Sequence, residues 1–123
     1  MEDYIFPFEK LEVWNLSVDF ADYVLKVLES FPDNKYFRLI GQMEAAVASV
    51  AQNIAEGKGR QYNKEFVQYL YIAEGSLFEV LTLSELFRRR NLFKENEAAK
   101  IREMAILIDR KIRGLIKSLK KRT

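Results

Sequence analysis

The chain has 123 residues, the size of one ordinary domain, and is 49% hydrophobic and 31% charged, so it has material for a core and charge to coat it. It contains no cysteine and no histidine, which excludes disulfides, thiolate metal sites and redox chemistry and removes the commonest general base, zinc ligand and pH switch. Net charge is only +2, and no apolar run approaches the roughly 18 residues that span a membrane.

Four helices are predicted, over about 8–30, 35–56, 63–90 and 95–121. Pro7 suits a first helical turn, where its missing N–H is harmless. The seam that follows is Leu11, Trp14, Val18, Ala21, Leu25 and Leu28, at the 3-4 spacing of an amphipathic helix. Pro32, in Ser30-Phe31-Pro32-Asp33-Asn34, ends that helix. The second seam is Ile40, Met43, Val47, Val50 and Ile54. Ala45, Ala46, Ala48, Ala51 and Ala55 let a neighbour come close. Gly57 and Gly59 bracket the next break, where a left-handed glycine closes a helix. Asn63 reads as an N-cap with Glu65 in the first turn. Helix three carries Phe66, Leu70, Ala73, Leu77, Val80, Leu81 and Phe87. Asn91 marks the third break, and Lys94 or Asn96 starts helix four, whose seam is Ile101, Met104, Ala105, Ile108, Ile112, Leu115 and Leu119.

No segment alternates with the period of two of a half-buried strand. The expected fold is therefore all-α, an antiparallel up-down-up-down four-helix bundle in one domain over 1–123. Apolar residues beyond one face per helix, Val67, Tyr69, Tyr71, Ile72, Phe78, Ile106, Leu107 and Ile116, predict a second buried surface and self-association. The acidic start from Met1 to Phe8 is unlike a secretory signal, so the expected location is the cytoplasm, away from membranes.

The carboxylates Glu44, Glu56, Glu65, Glu74, Glu79 and Glu85 lie on helices two and three. Di-iron bundles add Glu-x-x-His pairs to such a set, so without histidine neither a metal site nor a cofactor is expected. Glu56 and Glu79 lie near the seams and are expected to be half-buried, taking hydrogen bonds from Asn53 or Arg60. Gly57-Lys58-Gly59-Arg60 lacks the spacing and the preceding strand of a phosphate loop. It reads as a helix stop and turn, with an anion contact as the alternative. No serine has a histidine to activate it, and Ala73, Gly75 and Ser76 read as a patch for close helix packing. No catalytic residue emerges, and a non-enzymatic protein is expected.

Charge is distributed unevenly. Residues 1–33 carry eight acids and two bases, whereas residues 88–123 carry four acids and thirteen bases. At 100° per residue Arg110, Arg113, Lys117, Lys120 and Lys121 form a stripe opposite the apolar seam of helix four, and Arg88, Arg89 and Arg90 form a second cluster. These eight residues are the candidate nucleic-acid contacts, tracking phosphates by counterion release. The alternatives are a solvated helix face or a surface for an acidic partner, including the acidic first helix of a neighbouring copy.

The wording of three stretches is distinctive: Phe8-Glu9-Lys10-Leu11-Glu12-Val13-Trp14, then Ser49-Val50-Ala51-Gln52-Asn53-Ile54-Ala55-Glu56-Gly57, then Glu65-Phe66 through Ile72-Ala73-Glu74-Gly75-Ser76-Leu77-Phe78-Glu79. Over roughly residues 8–119 the chain resembles the 23S rRNA intervening-sequence proteins, also labelled S23 ribosomal proteins. The resemblance implies a four-helix bundle assembling into a ring, a homopentamer, without enzymatic activity. It also implies RNA or DNA as a partner and, through a related accessory protein of diversity-generating retroelements, a reverse transcriptase. Asn53, Glu56, Gly57, Glu65, Gly75, Ser76 and Glu79 match the family pattern and read as helix-stop, capping and interhelix residues. The chain departs from the pattern where Gln61-Tyr62-Asn63-Lys64 and Lys94 replace common Ser or Thr positions.

Overall fold

The computed structural model describes residues 3–32 and 35–122. Asp33 and Asn34 of the first predicted break lie outside them. A short 3-10 turn, Pro7–Lys10, precedes four α-helices: α1 (Glu12–Leu28), α2 (Phe37–Lys58), α3 (Asn63–Arg89) and α4 (Glu95–Lys121). Each helix packs on the next, and α4 closes against α1. Contacts between residues 49 and 76, 74 and 113, and 12 and 111 run antiparallel. This is the expected four-helix bundle. The core fills with Phe20, Met43, Ile54, Leu70, Leu77, Phe87, Ile108 and Ile112, all essentially inaccessible.

Local chemistry shifts several predicted boundaries. Helix one starts at Glu12 rather than near residue 8, because Leu11 is extended and separates it from the proline turn. Tyr36 and Asn91 take the left-handed conformation at the first and third breaks. Tyr62, not Asn63, is the N-cap of α3, and it makes no side-chain cap; Glu65 does lie in the first turn, where the helix dipole favours a carboxylate. Lys94 caps α4, its backbone N–H donating to the Glu97 carboxylate at 2.8 Å.

The buried stripe of α1 differs from the predicted seam. Val13, Ser17, Phe20, Val24, Val27 and Leu28 face the core, while Val18 and Leu25 are exposed and Leu11, Trp14 and Ala21 pack at its margin. Ser17 interrupts the inward stripe as a polar residue, but its hydroxyl donates to the Val13 carbonyl at 2.7 Å, which makes its burial inexpensive. Val67 and Ile116 also belong to the core rather than to the apolar surplus, whereas Tyr71, Ile72, Phe78, Ile106 and Leu107 remain exposed.

The most extensive seam joins α2 to α3, and four residues of the distinctive stretches, Ser49, Asn53, Gly57 and Ser76, lie in it. Asn53 Nδ2 donates to the Ser49 carbonyl and hydroxyl, both at 2.8 Å, and the Ser49 and Ser76 hydroxyls share a 2.8 Å hydrogen bond. Gly57 does not end α2. It is helical and buried, and a Cβ there would lie 2.6 Å from Tyr69 Cβ and 2.8 Å from Phe66 Cδ1. Gly59 caps the helix with an ordinary φ of −81° rather than a left-handed one. Gly75 faces outward, with nothing within 4 Å of a Cβ, so only Ala73 and Ser76 of the predicted small patch serve helix packing.

Candidate nucleic-acid interface

The two basic clusters have different fates. At the end of α3, Arg88 donates Nε and Nη2 to Glu85 at 3.0 and 2.8 Å and reaches Glu95 at 3.3 Å. Arg89 Nε joins the same Glu85 carboxylate at 2.8 Å, and Arg90 Nε donates to the Tyr36 hydroxyl at 3.1 Å. Hydrogen bonds from Arg88 and Arg89 hold the Glu85 carboxyl down to about 2. Two of the three arginines thus spend their charge on carboxylates of their own chain.

The stripe on α4 is also divided. Arg110 lies beside the exposed Ile106 and Leu107. Arg113 turns to α3 and clamps Glu74 with two bonds, Nε to Oε2 at 2.7 Å and Nη2 to Oε1 at 2.9 Å. Lys120 donates to the Tyr71 hydroxyl at 3.0 Å. Lys117 and Lys121 are exposed and meet no acidic partner among the described residues.

Antiparallel packing brings the last turn of α4 to the same end of the bundle as the α2–α3 connection. Lys117, Lys120, Lys121 and Arg122 therefore join Lys58, Arg60 and Lys64. Arg60 is placed by the Tyr69 ring, 4.8 Å from its centroid, by a bond to the Tyr69 hydroxyl and by Glu56 at 3.6 Å. These are seven bases from three segments, with Glu56 and Glu65 as the acids on the intervening turns. Sequence reading gave Lys58 and Arg60 an anion contact only as an alternative and missed Lys64, and it joined none of them to α4, since they stand more than fifty residues before the lysines they join. The signal available was the density of bases around Gly57 and Gly59.

The half-buried glutamates expected at 56 and 79 are both exposed; Glu56 pairs with Arg60, four residues on. Glu74 is the buried one, at 4% exposure. Asp109, one turn before Arg113 on α4, buries its Oδ1 with no donor among the described residues. Burial first, then Asp109, holds the Glu74 carboxyl above its usual range, while Arg113 pulls it down.

A raised folded pKa means that the native state keeps a proton the unfolded chain has released. This contribution to stability is full below the unfolded Glu value of about 4.3 and is lost as pH rises through the folded value. Glu74→Gln cannot ionise and should gain stability relative to the parent chain as pH rises from about 4 to about 8. Thermal melts across that range check this, and parallel curves for the two proteins would refute it.

No group of three or more His, Cys, Asp or Glu among the described residues could hold a metal ion, and no helix among them is long and apolar enough to cross a membrane. The fold is that of an all-α, four-helix bundle. The chain belongs to the 23S rRNA-intervening sequence protein family, whose model matches residues 9–114. No curated protein matches the sequence.

Proposed function

We propose that this protein is a non-enzymatic, self-assembling cytoplasmic bundle that binds nucleic acid through the basic end formed by α2, α3 and α4. The observation that carries the reading is the convergence there of Lys58, Lys64, Lys117 and Lys121, exposed and without acidic partners among the described residues. Cations displayed this way track phosphates by releasing counterions. The absence of histidine and cysteine supports the non-enzymatic part.

Assembly is supported by two exposed aliphatic patches with opposite rims. On α1, Val18 and Leu25 stand among Asp19, Asp22 and Glu29; on α4, Ile106 and Leu107 stand between Arg102 and Arg110. An α1 face set on the α4 face of the next copy is a head-to-tail contact, the kind that closes into rings. A ring of five subunits is the assembly we infer, the number that the family resemblance implies.

Fluorescence-anisotropy titrations of single-stranded RNA, structured RNA and duplex DNA at several salt concentrations test the binding. With four phosphates engaged, the log–log salt slope should be about −3 to −4. Absence of binding even at about 50 mM salt would leave a protein-interaction module built on the α1 and α4 patches. Light scattering tests assembly: a mass several times 14.5 kDa is expected, and a concentration-independent monomer would remove the ring.

A further inference from the structure

We infer that the basic end is a single-strand site, in which Tyr62 stacks an unpaired base while Lys64 and Lys120 hold the flanking phosphates; this rests on the nucleic-acid reading above. Three shallow depressions merge along the first turns of α3. One is lined by Gln61, Tyr62, Lys64 and Glu65, the next by Lys64, Gln68, Tyr71 and Lys120, and the third by Arg60, Glu65, Gln68 and Tyr69. Lys64, Glu65 and Gln68 are each shared between two of them, so the three adjoin as one trough, with the Glu65 carboxylate as its acid.

Its chemistry suits unpaired nucleotides better than a duplex. Tyr62 sits on extended backbone just before α3 and is 61% exposed. An aromatic ring displayed like this on a polar surface gains nothing from the fold, since its apolar area stays in water. A base can cover it only if its face is free, which pairing and stacking in a duplex prevent. Tyr71, 37% exposed, lies at the other end of the trough, with Lys120 Nζ 5.4 Å and Arg113 Cζ 5.9 Å from its ring centroid. Cations are thereby placed beside an aromatic ring, the combination by which single-strand binders hold base and backbone together. Gln68, between the two tyrosines in sequence and in the trough, carries both a donor and an acceptor for a base edge.

The test compares a fluorescein-labelled oligouridylate of about 15 nucleotides, within the range one such site covers, with a blunt mixed-sequence duplex of the same length. Tyr62→Ala should weaken oligouridylate binding by about tenfold, the loss of one stacked base, while leaving duplex affinity and the salt slope unchanged. Tyr62→Phe should keep the parent affinity, because stacking needs the ring and not the hydroxyl. Tyr62 lies outside the core, and circular dichroism confirms that the variants are folded. Unchanged oligouridylate affinity in Tyr62→Ala, or an equal loss for both ligands, would overturn the site. A parent chain that binds duplex but not oligouridylate would also overturn it while leaving the broader reading intact, and one that binds neither would end both.

Discussion

Gly57→Ala is expected to destabilise the protein by about 2–3 kcal/mol, at the upper end of overpacking costs in a tight core, and to lower its melting temperature by roughly 10 °C. The new Cβ would stand 2.6 Å from Tyr69 Cβ. Both atoms are fixed directly to their backbones, so no rotamer change relieves the clash. The two helices must part, and parting them stretches the Ser49–Ser76 hydrogen bond, now 2.8 Å, one face of a seam that also holds Asn53. Gly59 is the internal control. A Cβ there meets nothing nearer than the Glu56 carbonyl oxygen at 3.5 Å, and its φ is accessible to alanine. Gly59→Ala should therefore melt within about 0.5 kcal/mol of the parent, the range for surface changes. Similar losses at the two positions would mean that the glycines serve the turn and not the α2–α3 contact.

Lys117→Gln combined with Lys121→Gln is expected to flatten the salt slope of nucleic-acid binding by about two units. Two slope units correspond to an affinity loss of about a hundredfold at about 0.1 M salt. Both lysines stand on the outer face of the last turns of α4, away from the buried Ile116 and Leu119, so helix content should not change. Arg88→Gln with Arg89→Gln also removes two charges, but those charges already face Glu85 and Glu95. That pair should leave the slope unchanged and act on stability instead, weakly, as exposed ion pairs do. It should also release the Glu85 carboxyl from its low value of about 2. The reverse pattern, with the arginines setting the slope and the lysines silent, would move the interface to the opposite end of the bundle.

Much of the fold was legible in the chain because helix periodicity is a local property. The seams of α2, α3 and α4 follow from 3-4 spacing alone, and the composition without histidine or cysteine restricts the chemistry before any contact is known. The left-handed Asn91 ends α3 at its basic last turn, as residue types at helix ends suggest.

Other features depend on which helix meets which. Helix α1 holds two apolar stripes, and only packing selects the one containing Phe20 and Ser17, because a hydroxyl bonded to its own helix can be buried at little cost. Gly57 and Gly59 look alike in sequence; the approach of Tyr69 makes one indispensable and leaves the other a simple cap. Sequence position favours Glu56 and Glu79 as the half-buried glutamates, but packing buries Glu74 against Arg113 of α4 instead. The basic surface shows the same division. Local spacing predicted the α4 stripe and the Arg88–Arg90 cluster, but pairing with Glu85 and Glu95 nearby in the chain occupies Arg88 and Arg89, and pairing across helices with Glu74 occupies Arg113. Antiparallel topology then added Lys58, Arg60 and Lys64 to the end of α4. Helices, seams and charge content were set by sequence within a few turns. The face turned inward, the one required glycine and the gathering of cations at the end of α4 were decided by tertiary contact, because each depends on how closely separate helices approach one another.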